Sequence, residues 1–189
     1  MKTPVVLSIA LSTLFSFSVS GPASGQDEDD IFAFIPAGGR TLLETVREAG
    51  LPQNLAARIA ETGGDHTVWR EALDAEKAGT PALGVLDDWQ TNTLANYLAA
   101  NTPLDPGGVL PRDGRDMALQ LCQSCHIITV VITQDRTREA WLGTMNSPSH
   151  VEIETTEAER GLLADYLVIN AGIPIDLVPP ELRAGGASY

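Results

Sequence analysis

Apolar residues recur along most of the chain at the three-to-four-residue spacing of amphipathic helices. In the first half Leu42, Leu43, Val46, Leu51, Leu55, Ile59, Trp69, Leu73, Leu94 and Leu98 supply an apolar set able to fill a core. In the second half Gly114 opens a helix on which Met117, Ala118 and Leu121 repeat. Arg138-Glu139-Ala140-Trp141-Leu142 opens another, and Glu157 to Asn170 forms a third, with Leu162, Leu163, Tyr166 and Leu167 as its apolar stripe. The pattern predicts an all-α fold.

Proline and glycine set the boundaries. Asn101 to Pro111 (NTPLDPGGVLP) is rich in both and reads as a connection, with the linker at 106–111. The last stretch carries Pro174, Pro179 and Pro180, so no long helix fits there. Residues 173–189 are expected to form an extended tail, mobile at Gly185 to Tyr189. At the other end Lys2 precedes an apolar run from Val5 to Val19, and Ala23 and Gly25 are small residues suitably placed before a cut. This is the layout of a secretory signal peptide over 1–25, cleaved before Gln26 and directing export to the periplasm. The run is too short to predict a membrane span. Residues 26–37, beginning QDEDD, read as an acidic flexible segment.

Charge narrows the partners. The chain has a net charge of -13; removing residues 1–25 takes Lys2 and no acid, which makes it -14. Such a surface disfavours nucleic acid and anionic lipid. It suits a basic docking face on another protein.

There are two cysteines, and they carry the chemistry. Cys122-Gln123-Ser124-Cys125-His126 is a C-x-x-C-H sequence, the attachment pattern for c-type haem. Two thiols two residues apart can reach the two vinyl groups of one porphyrin edge, and the adjacent imidazole can reach the iron. A thioredoxin-like redox pair would want a βαβ context, which is not visible. A zinc site would want further ligands, and no second cysteine pair exists. The expected cofactor is therefore a single covalent haem c.

The flanks carry a resemblance. A glycine-led helix running into C-x-x-C-H, a Trp about fifteen residues on, and a closing helix ending in Tyr166-Leu167 resemble the class I c-type cytochrome family over residues 112–172. The resemblance implies that the first and last helices of this domain cross and that haem lies against them. It also implies a methionine opposite His126 on the iron. Met117 lies on the entry helix and reads as a core residue, which leaves Met145 as the expected sixth ligand. The family's methionine falls about a turn later, near Pro148 to His150, so His150 is the rival. His66 is remote in sequence.

The first half echoes the second. Leu94-Ala95-Asn96-Tyr97-Leu98 with Asn101 matches Leu163-Ala164-Asp165-Tyr166-Leu167 with Asn170. Trp69 precedes Tyr97 by 28 residues, and Trp141 precedes Tyr166 by 25. Gly39-Arg40 stands where Gly114-Arg115 does. The haem-binding positions then fall on Arg47, Gly50 and Leu51, with Leu73 in the place of Met145. Residues 38–105 thus resemble a second cytochrome c-like helical lobe without haem, whose space side chains must fill.

These readings predict single-electron transfer through the haem, as the cytochrome subunit of, or carrier for, an exported oxidoreductase, and not an enzyme acting alone. Two other classes stay open at this stage: a haem-based ligand-binding or sensing protein with an open or displaceable sixth position, and an assembly protein with a relict haem.

Overall fold

Nine α-helices make up the regular structure of residues 31–183, the part that the computed structural model describes, and these residues contain no strand. The proposed signal peptide, Gln26 to Asp30 and the chain end after Arg183 lie outside the described residues. No described helix is long and apolar enough to cross a membrane.

The first half contributes α1 (Gly39–Glu48), α2 (Gln53–Glu61), α3 (His66–Lys77), a single turn α4 (Pro81–Gly84) and α5 (Asp88–Asn101). Their start signals are local. Asp65 caps α3 by accepting the Val68 amide, and Asp87 with Gln90 forms a reciprocal capping box at α5. The apolar faces close on one cluster that includes Leu42, Leu43, Val46, Leu55, Ile59, Trp69, Leu73, Leu94 and Leu98. Leu51 is only partly buried at its edge. Leu83, from the short α4, completes the packing.

The second half contributes α6 (Gly114–Leu121), the short α7 (Thr129–Ile132), α8 (Arg138–Met145) and α9 (Glu157–Asn170). A second cluster gathers Met117, Ala118, Ile128, Ile132, Trp141, Leu162, Leu163, Tyr166 and Leu167. Residues 31–37 differ from the solvated segment expected of them. Ile35 is buried in the second cluster, and Phe32 and Phe34 pack against it, because burying these three side chains outweighs the polar sequence before them. The tail runs back over this half in two 3-10 turns, Ile175–Leu177 and Pro180–Leu182. Val178 is buried there, and the Ile173 amide and Thr129 hydroxyl donate to Ile132 and Leu182 carbonyls at 3.0 and 2.5 Å.

The two halves repeat one crossing. At Gly39 an added Cβ would lie 2.1 Å from Cβ of Tyr97 on α5; at Gly114 it would lie 2.1 Å from Cβ of Tyr166 on α9. Only glycine allows the helices to approach so closely. Each tyrosine then reaches into the opposite half. Tyr97 donates its hydroxyl to the Pro111 carbonyl at 2.8 Å, and Tyr166 donates to the Pro36 carbonyl at 2.6 Å. Both acceptors stand three residues before the glycine of their own half. Helices α5 and α9 pack against each other, joined by a buried hydrogen bond from Asn170 Nδ2 to Thr93 Oγ1 at 2.9 Å.

Candidate functional site

Helix α6 delivers the C-x-x-C-H sequence to a cavity. Asp113 and Asp116 form the capping box that starts the helix, and after Leu121 the chain tightens into a 3-10 turn, Cys122–Ser124. The Cys125 and His126 amides both donate to the Cys122 carbonyl, at 3.4 and 3.0 Å, and the Ser124 hydroxyl donates to the Leu121 carbonyl at 2.6 Å. The turn therefore presents two thiols and an imidazole side by side. Both cysteines are free. Cys122 is half-buried against the second cluster, and burial pushes its thiol up to about 11, so it stays protonated at neutral pH. Cys125 and His126 are exposed.

All three line one cavity that opens to solvent. The walls are mainly apolar, with Val130 and Val131 from α7 and Leu163 and Leu167 from α9. Met145, the last residue of α8, and His150, in the loop beyond it, also line the cavity. The ring centres of His126 and His150 are 6.1 Å apart.

The polar groups on the wall are few. Trp141 lines the cavity, and its indole N–H is buried with no acceptor among the described residues. A buried donor without a partner is a cost that folding rarely tolerates unless something else fills it. Arg136 lies over the Trp141 ring, 5.2 Å from its centre, and Arg160 lines the cavity as well. The equivalent pair in the first half is satisfied internally. Trp69 Nε1 donates to Thr102 Oγ1 at 3.0 Å, with Arg58 5.4 Å from its ring centre.

The structure thus brings Cys122, Cys125 and His126 onto one cavity together with Met145 and its rival His150. His66 begins α3 in the other half. Leu73, the counterpart of Met145, is fully packed in the first cluster. Nothing in the sequence pattern marks Trp141 as a donor, or Arg136, Arg160 and the serines beside His150, as site residues. The apolar run from Ile127 to Ile132, directly after the histidine, was the available signal for the cavity wall. Among the described residues no group of three or more His, Cys, Asp and Glu side chains is placed to hold a metal ion. Comparison with protein-family models, with curated proteins and with solved structures returns no match to this chain.

Proposed function

We propose that this chain is an exported electron-transfer protein that carries one covalent haem c, as the cytochrome subunit of, or carrier for, a larger oxidoreductase. One observation carries the reading: Cys122, Cys125 and His126 stand together on the wall of an apolar cavity whose lining also includes Met145 and His150. The chain's residues suit the group. The thiols of Cys122 and Cys125 would add across the two vinyl groups, each S–H giving its sulfur to one carbon and its hydrogen to the other. His126, whose backbone N–H donates a hydrogen bond to the Cys122 carbonyl, would bind the iron from one side. Val131, Leu163 and Leu167 would hold water away from the ring. The unpartnered Trp141 N–H and the cationic Arg136 and Arg160 match the anionic carboxylates that a porphyrin carries at one edge. When bound, the haem supplies a one-electron couple; the protein sets its potential and its docking face.

The first half would act in recognition. Its space is filled by side chains, and the net charge of -13 favours a partner with a basic face. A free shuttle would need neither that half nor the tail packed on α7, which favours a fixed subunit.

The test is expression with export and intact haem-maturation machinery. The protein should then gain the mass of one haem and show a Soret band, and Cys122→Ser with Cys125→Ser should abolish covalent attachment. A product with the mass of its bare polypeptide and no Soret absorption refutes the reading. Carbon monoxide added to the reduced protein separates carrier from sensor, since a six-coordinate carrier shows no fast spectral shift.

A further inference from the structure

We infer that His150, and not Met145, is the second axial ligand of the iron, making this a bis-imidazole site; the inference rests on the haem c reading above. The rings of His126 and His150 lie 6.1 Å apart between centres and are inclined by 38°. An imidazole nitrogen sits about 2 Å from a first-row metal ion such as zinc. The ring centre lies about 1 Å further out, so two imidazoles on opposite sides of one ion have centres about 6 Å apart. The observed separation is that distance. Both rings also line the one cavity that Cys122 and Cys125 line.

The loop that carries His150 holds the ring from behind. Ser147 Oγ is 2.9 Å and Ser149 Oγ 3.0 Å from His150 Nδ1, and the two hydroxyls are 3.0 Å from each other. The His150 amide donates to the Ser147 carbonyl at 2.9 Å, closing a tight turn. A serine hydroxyl that accepts the Nδ1 proton leaves the lone pair on Nε2. Metal-bound histidines are oriented in this way, by a second partner on the nitrogen that does not bind the metal. Met145 has a different setting. It ends α8 and packs against the second cluster with Leu142, as an apolar wall residue.

Ligand identity sets the potential. A thioether raises it relative to a second imidazole, so His150 ligation places this protein at the low-potential end for its type. The experiment uses the haem-loaded full chain and three variants: Met145→Leu, His150→Ala and His150→Met. Oxidised wild type should be low-spin by electron paramagnetic resonance and lack the near-infrared sulfur-to-iron charge-transfer band. Met145→Leu should leave both signatures unchanged. His150→Ala should turn the iron high-spin and open it to carbon monoxide, and added imidazole should restore the low-spin signal. His150→Met should raise the midpoint potential. A sulfur-to-iron band in wild type that disappears in Met145→Leu overturns the inference and leaves the haem reading standing. High-spin wild-type iron also overturns it. A chain that gains no haem mass overturns both.

Discussion

The carboxylate of Asp113 accepts the backbone amide of Arg40 at 2.8 Å, across 73 residues of sequence, while its other oxygen accepts the amide of Asp116 at 2.9 Å. One side chain, 1 % exposed, therefore caps two helices, α1 from the first half and α6 from the second. An N-cap contributes about 1 kcal/mol. Asp113→Ala should therefore cost about 2 kcal/mol, against about 1 for Asp65→Ala, which frees only the start of α3. Urea unfolding of the two variants measures the difference. Equal losses would show that the second cap contributes nothing.

The glycine crossings invite a second comparison. In Gly114→Ala the new methyl group would stand 2.1 Å from Tyr166 Cβ, a contact that only separation of α6 and α9 relieves. Overpacking of this kind costs about 1–3 kcal/mol. Gly143, inside the exposed part of α8, has nothing within 4 Å of such a methyl, so Gly143→Ala should gain up to about 1 kcal/mol from helix propensity. Thermal unfolding should move in opposite directions for the two variants. A common shift would mean that α6 and α9 separate at little cost.

Acid stability depends on the neighbouring pair. Burial pushes the Asp116 carboxyl up, but the Arg40 guanidinium, donating two hydrogen bonds at 2.7 Å, outweighs it with the Asp113 amide, and the net shift is downward. A carboxyl lowered in the folded state contributes stability above its unfolded value, about 3.9, and loses it as pH falls through the folded value. Asp113 has the opposite sign: burial raises its carboxyl, so its contribution falls as pH rises through the folded value. Arg40→Gln should therefore flatten the stability loss below about pH 4, by about 1 kcal/mol or less because the pair is partly exposed. Unfolding midpoints from pH 6 to pH 3 give the slope. An unchanged slope would remove the pair from the acid response.

The sequence makes the first cluster readable because each of its helices buries one face, and nine of its ten expected members are fully buried. The motif is equally legible, since C-x-x-C-H is contiguous and its turn closes within five residues. What escaped are the relationships that join distant segments. Nothing near Asp113 signals that Arg40 will donate to it, because the contact forms only when α1 meets α6. Phe32, Phe34 and Ile35 follow a run of acids, so the local composition masks their packing against residues from Met117 onward. The approach of His150 to His126 is set by the loop after α8 turning back through Ser147, which helical periodicity does not describe. Short apolar turns such as α4 and α7 are too brief for a periodicity to register.

Trp69 and Trp141 offer the sharpest contrast between the halves. Both are buried, and each lies under an arginine at almost the same distance. Only Trp69 has an acceptor, Thr102. Replacing it by Phe removes a hydrogen bond worth about 1 kcal/mol, and the Thr102 hydroxyl keeps its own bond to the Leu98 carbonyl. Trp141→Phe removes a donor whose burial is uncompensated, so its loss offsets part of the cost of the smaller ring. In haem-free protein Trp141→Phe should be milder than Trp69→Phe by about 1 kcal/mol or more. Attachment of haem should raise the cost of Trp141→Phe and leave that of Trp69→Phe unchanged, because only the first indole lines the cavity. Unfolding of both variants in both forms decides the matter. If the two substitutions cost the same with and without haem, the Trp141 N–H has a partner unrelated to the cofactor.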